Sequence, residues 1–99
     1  MHNKEQMRLV KRLIQRIFLE EWDPIGIRKY PEAEDEYDAY IGGMYVLLKS
    51  DAPDDEIITY LQQIETERMG LHPTDKSRLA DIVSSLKRLH IPQTEIPKP

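Results

Sequence analysis

Apolar residues recur at spacings of three and four along most of the chain. Between about residues 3 and 21 they are Met7, Val10, Leu13, Ile14, Ile17 and Phe18, which is the period of one helical face, while Arg8, Lys11, Arg12, Gln15 and Arg16 fill the other. The pattern predicts a first helix that buries one stripe and leaves a basic surface in water. It should stop at Trp22-Asp23-Pro24, because proline disfavours helical backbone in the residue before it. Asp23-Pro24-Ile25-Gly26 then reads as a turn: proline sets φ at the second position, glycine suits the fourth, and the Asp23 carboxylate accepts backbone N–H groups.

A second helix is predicted over about residues 32–49. Pro31 and the acids Glu32, Glu34, Asp35 and Glu36 suit a positive helix N-terminus, and Tyr37, Tyr40, Ile41, Met44, Leu47 and Leu48 form its stripe. Gly42-Gly43 interrupt it at about 1 kcal/mol each relative to alanine, so close approach of another helix or of the 23–27 turn is expected there. A third helix, about 53–69, has Ser50 or Asp51 as its expected cap, acids in its first turn, and Ile57, Ile58, Leu61, Ile64 and Met69 as its stripe, with Gly70 as a left-handed terminator. A fourth, about 74–90, turns Leu79, Ile82, Val83, Leu86 and Leu89 inward. The segment 91–99 contains three prolines and reads as a flexible or draped tail. The expectation is therefore an all-α, compact, single-domain four-helix bundle over residues 1–90.

Ninety-nine residues make one domain, and with no cysteine its stability must come from packing rather than disulfides or thiolate metal sites. The first apolar stretch is broken by Lys11, Arg12, Gln15 and Arg16, so it is no signal peptide, and no run nears the roughly 20 apolar residues that span a bilayer. A soluble, cytoplasmic protein is expected. A basic amphipathic helix can also lie on a membrane, but core packing explains the stripe equally well.

The net charge of -4 is unevenly spread. Residues 1–22 carry five basic and three acidic side chains, residues 23–56 three and ten, and residues 57–99 six and five. An acidic middle repels phosphate backbones, which argues against nucleic acid as a partner for that surface.

The densest polar cluster is Glu32-Ala33-Glu34-Asp35-Glu36-Tyr37-Asp38. Helical spacing places Glu34 beside Asp38, and paired carboxylates can share a proton or hold a divalent cation; a solvated helix start accounts for them without either role. The Glu-x-x-His pairs of a carboxylate-bridged helical metal site are missing, and His2, His72 and His90 have no ligand spacing. Ser77, His72 and Asp75 have no accompanying oxyanion-hole signature, and Gly42-Gly43 has no phosphate-loop context. No catalytic residue, metal ligand or cofactor is assigned.

With Trp22-Asp23-Pro24-Ile25-Gly26-Ile27, Asp35-Glu36-Tyr37-Asp38-Ala39-Tyr40 and Arg68-Met69-Gly70-Leu71, the chain resembles a group of short bacterial helical proteins without an assigned activity. Their pattern looks like D-P-x-G, D-E-Y-D-x-Y and an E-x-x-M-G-L-like helix end, from which Glu65-Thr66-Glu67-Arg68-Met69-Gly70-Leu71 departs slightly in spacing. The resemblance covers about residues 20–71 and implies that Asp23, Gly26, Asp35, Glu36, Tyr37 and Tyr40 act together. On a structural account the turn docks beside the second helix, Asp23 or Glu36 caps backbone N–H groups, and the tyrosines fill the seam. On a functional account the same place is a recognition patch.

These readings point to a protein-binding module that meets a basic protein through residues 32–56, with Glu34, Asp35, Asp38, Tyr37 and Tyr40 in contact. Immunity or antitoxin proteins that neutralise basic toxin enzymes are an analogy in size and charge. The alternatives are a small-ligand or metal-dependent enzyme using Asp35, Glu36 and Asp38 near Asp23 and Tyr37, or a homodimer subunit packing through Gly42-Gly43; a monomer is equally compatible with the binding reading.

Overall fold

The apolar stripes become the buried faces of four helices in the computed structural model, which describes residues 2–89. Helix α1 (His2–Ile17) continues into a π-helical turn, Phe18–Trp22, and α3 (Asp54–Gln63) into a second one, Ile64–Arg68. Helices α2 (Asp38–Lys49) and α4 (Lys76–Lys87) complete an all-α fold without a strand among the described residues. Helix α1 packs against α2 on one side and α4 on another, and α3 packs against α4.

One core joins them. Val10, Ile14 and Phe18 meet Ile41, Met44 and Leu48 of α2, Ile57, Ile58 and Leu61 of α3, and Leu79, Ile82, Val83 and Leu86 of α4. Each such side chain contributes roughly 1.5–3 kcal/mol on leaving water, which is what holds a chain without cross-links together. No helix among the described residues is long and apolar enough to cross a membrane.

The second helix begins later than its sequence suggests. Pro31–Ala33 is a 3₁₀ turn, and the chain then advances by three-residue steps: Glu36 N–H donates to the Ala33 carbonyl, Asp38 to Asp35 and Tyr40 to Tyr37. Repulsion among the acids does not select this path, since three-residue steps stack Glu32 on Asp35 and Asp35 on Asp38. The path brings Tyr37 to complete burial.

The start of α3 differs as well. Pro53, in extended backbone, occupies its N-cap position, and no side chain caps it. Asp51 instead takes φ +58 and closes α2, with its own N–H donating to the Leu48 carbonyl and that of Ala52 to Leu47. This is a Schellman ending with aspartate in the place glycine usually takes, and Ala52 is buried beneath it. Gly70 adopts the expected left-handed conformation, φ +68. Helix α4 is shorter than its stripe, starting at Lys76 because Thr74 is engaged elsewhere. His90 and the 91–99 tail lie outside the described residues.

Of the two glycines in α2, Gly43 answers to a neighbouring helix. A Cβ there would overlap the Tyr60 hydroxyl and sit 2.8 Å from Cζ of that ring, which α3 holds in place by donating its hydroxyl to the Tyr40 carbonyl at 2.9 Å. Gly42 faces open space. Gly43→Ala should therefore cost about 1–3 kcal/mol through overpacking, whereas Gly42→Ala should stabilise by up to about 1 kcal/mol through helix propensity. Urea denaturation of the two variants at low protein concentration distinguishes them, and equal effects would contradict this packing.

Candidate functional site: an acidic ledge braced from beneath

Asp23 organises the turn after α1. Its backbone is left-handed, φ +35, a conformation that aspartate tolerates better than most residues. Its carboxylate accepts from Ile27 N–H at 2.8 Å, Arg28 N–H at 3.3 Å and the Tyr37 hydroxyl at 2.9 Å. That hydroxyl in turn accepts from Ile25 N–H at 3.2 Å, so the 23–28 turn is tied to the segment preceding α2. Gly26, at φ +67, lets the turn close, and its N–H donates to the Asp23 carbonyl. Among the described hydrogen bonds the Glu36 side chain takes no part; Asp23 does the capping.

Below this turn lies a buried carboxylate. Glu65 is fully buried and accepts from the Trp22 indole N–H at 2.8 Å, Thr74 N–H at 2.7 Å and the Thr74 hydroxyl at 2.8 Å. Burying such a group without partners would cost several kcal/mol. Here three donors from two other segments meet it. The Trp22 ring packs between Phe18 and Tyr37, with centroids 4.9 Å and 5.6 Å away, so Glu65 and Asp23 are linked through one aromatic layer.

Glu65 is absent from the candidate residues drawn from the sequence, although a signal is present there. It comes four residues after Leu61 and so falls on the apolar stripe of the third helix, where a carboxylate needs donors to be tolerated.

Above this support, Glu32, Glu34, Asp35, Glu36 and Asp38 are all exposed. Gln15 of α1 anchors them, donating to the Glu34 carbonyl at 3.2 Å and to Asp38 Oδ1 at 3.1 Å. The sole ion pair among the described residues joins Lys87 to Asp54, so no lysine or arginine there pairs directly with the ledge, although Arg8, Lys11 and Arg12 line one groove with Asp38. Tyr37 supports it from inside rather than offering its ring to a partner. Tyr40 is half-buried, beside Tyr60, in a small cavity of about 190 Å³. Tyr30 and Ile25, 55% and 42% exposed on the adjoining loop, are the apolar groups actually displayed there.

The acidic middle is not one surface. Residues 32–37 precede α2, Asp38 opens it and residues 51–56 come after it, so the twelve-residue helix sets the two groups roughly 18 Å apart. No group of three or more aspartate, glutamate or histidine residues among the described ones is arranged to hold a metal ion. Ser77, His72 and Asp75 share no described hydrogen bond between their side chains, and Ser77 and Asp75 are exposed. No protein-family model, curated protein or solved structure matches the chain.

Two consequences can be measured. Glu65→Gln keeps the shape but turns one acceptor into a donor facing another donor, and should cost about 1–3 kcal/mol in urea denaturation; an unchanged midpoint would refute the buried acceptor role. Burial, reinforced by the Asp23 carboxylate, pushes the Tyr37 hydroxyl above its ordinary value of 10.0, despite the opposing Ile25 N–H, and burial also raises Tyr60. The folded state holds these protons more tightly, so their stabilisation is intact below the ordinary tyrosine value and is lost as pH climbs above it. Stability should thus decline beyond about pH 10, and less steeply in a Tyr37→Phe, Tyr60→Phe variant.

Proposed function

We propose that the chain is a protein-binding module whose acidic ledge, Glu32 to Asp38, receives a basic surface of another protein. One observation carries this reading: exposed carboxylates stand together on a short irregular segment pinned by Tyr37 and Asp23 below and by Gln15 at its side. A patch fixed before binding loses little conformational freedom on association, and carboxylates facing a basic partner accelerate encounter in a salt-dependent way.

The contact is narrower than the span from residue 32 to 56, because the Asp51–Glu56 acids belong to the other end of α2. Tyr30 and Ile25 supply exposed apolar anchors next to the charges, as specific interfaces commonly need. Small acidic proteins that neutralise a basic enzyme, in the manner of immunity proteins, are the class of behaviour this surface suits.

The test is capture of a basic protein from the native host by the wild type, and then measurement of its affinity for defined variants. Glu34→Lys with Asp35→Lys should weaken binding at least tenfold and flatten its salt dependence, and Tyr30→Ala should weaken it with the salt dependence intact. Undiminished affinity after charge reversal would remove the ledge from the interface.

A further inference from the structure

Helix α2 carries Asp38, Gly42 and Tyr45 on one stripe, at the spacing of a single helical face. The two outer positions engage α1: Asp38 Oδ1 accepts from Gln15 at 3.1 Å, and the Tyr45 ring lies 5.6 Å from the Lys11 ammonium. Gly42, between them, engages nothing, and a Cβ added there would meet no atom within 4 Å. Gly43 makes room for Tyr60, but Gly42 gives up helix propensity with no packing in return. The result is a gap in the seam between the two helices, a groove of about 490 Å³ lined along α1 by Arg8, Lys11 and Arg12. That volume lies within the roughly 300–1,000 Å³ typical of small-ligand sites.

The three cations share the groove with one carboxylate, Asp38, which leaves two positive charges unbalanced. The sole ion pair among the described residues is Lys87 with Asp54, so none of the three is paired there. Arg8 and Arg12, four residues apart, also repel one another along the helix. An uncompensated glycine and a set of unpaired cations therefore meet at one place.

We propose that this groove binds a small phosphate monoester that also carries hydroxyl groups, a sugar phosphate or a nucleotide with one phosphate. The phosphate lies among Arg8, Lys11 and Arg12, the sugar against the bare backbone of Gly42, and a hydroxyl donates to Asp38. A monoester carries a charge of about -1.5 to -2 near neutral pH, which matches the imbalance, and guanidinium forks suit phosphate oxygens. Asp38 Oδ1 is taken by Gln15, while Oδ2 accepts no hydrogen bond from the described residues and is left for the ligand. A dicarboxylate of similar total charge would bring a second anion to Asp38, whereas a monoester concentrates its charge at the other end. From Arg8 to Gln15 the groove runs roughly 10 Å. Beyond Gln15 stand Glu34 and Asp35, which repel a polyanion continuing past that end, so a compact ligand is favoured over nucleic acid. The inference is independent of the ledge's protein partner, whose test rests on Glu34, Asp35 and Tyr30.

Titration of the full chain with ribose bearing a terminal phosphate, followed by amide NMR, should saturate with a dissociation constant on the order of 1 mM. The shifts should centre on Arg8, Arg12 and Gly42. Inorganic phosphate should bind about fivefold more weakly for want of the hydroxyl bonds, and unphosphorylated ribose should not bind. Gly42→Leu, which favours the helix but fills the groove, should weaken the sugar phosphate about tenfold, as should Arg8→Gln with Arg12→Gln. Asp38→Asn should erase the preference for sugar phosphate over inorganic phosphate, a change of rank that general loss of structure does not produce. If circular dichroism shows Gly42→Leu unfolded, Gly42→Ala, expected to be more stable than the wild type, takes its place. Failure to saturate at about 10 mM, ten times the expected constant, would overturn the proposal. So would equal affinity for the two phosphates, unchanged affinity in a folded Gly42 variant, or a single-stranded oligonucleotide that binds the same residues more tightly than the sugar phosphate.

Discussion

The hydrogen bonds gathered by Glu65 set the geometry on which the other features rest. A carboxylate deep in a small core is unfavourable by several kcal/mol until donors replace its water. Trp22 comes from the end of the first helix and Thr74 from the loop before the fourth, so satisfying one side chain fixes three segments at once. Thr74 is consequently withheld from α4, and the Trp22 ring is aimed at Tyr37. From Tyr37 the constraint passes through its hydroxyl to Asp23 and the loop beyond. Apolar burial supplies most of the stability, and this polar chain selects which arrangement of the helices is adopted.

The number of helices and their inward faces are legible in the sequence because a repeat of three and four survives any detail of packing: Ile14, Met44, Leu61 and Val83 all lie where the spacing places them. The Asp23 turn is legible for a similarly local reason, since aspartate, proline and glycine act on their own backbone. The features that escape are set by contacts distant in the chain. The acids after Pro31 look like a helix start when only the macrodipole is considered, but the conformation there answers to the burial of Tyr37 under a turn twelve residues earlier. Tyr37 looks like a contact residue from its neighbours in sequence, and it lies inside. Asp51 looks like the cap of the third helix and closes the second, because Pro53 holds the intervening backbone extended.

Net charge conceals the arrangement of the surface. A total of -4 suggests a uniformly acidic protein, whereas the fold divides the acids between the two ends of α2 and lays a row of cations alongside it. Folding thus sets carboxylates at both ends of one helix with cations beside it, and orientation in an encounter responds to such a distribution more than to the total.

Trp22 and Glu65 both lie in π-helical turns, each of which holds one more residue than an α-helical turn would. The extra residue rotates the chain beyond it, and it is part of the register that brings the indole to the carboxylate. Shortening either turn by one residue would place a different neighbour at that position. Length changes at these two helix ends are therefore far less tolerable than conservative substitutions, whereas the loop around His72 and Pro73 has room for insertion. Across diverging versions of such a chain, gaps should collect in that loop and stay out of the two widened turns.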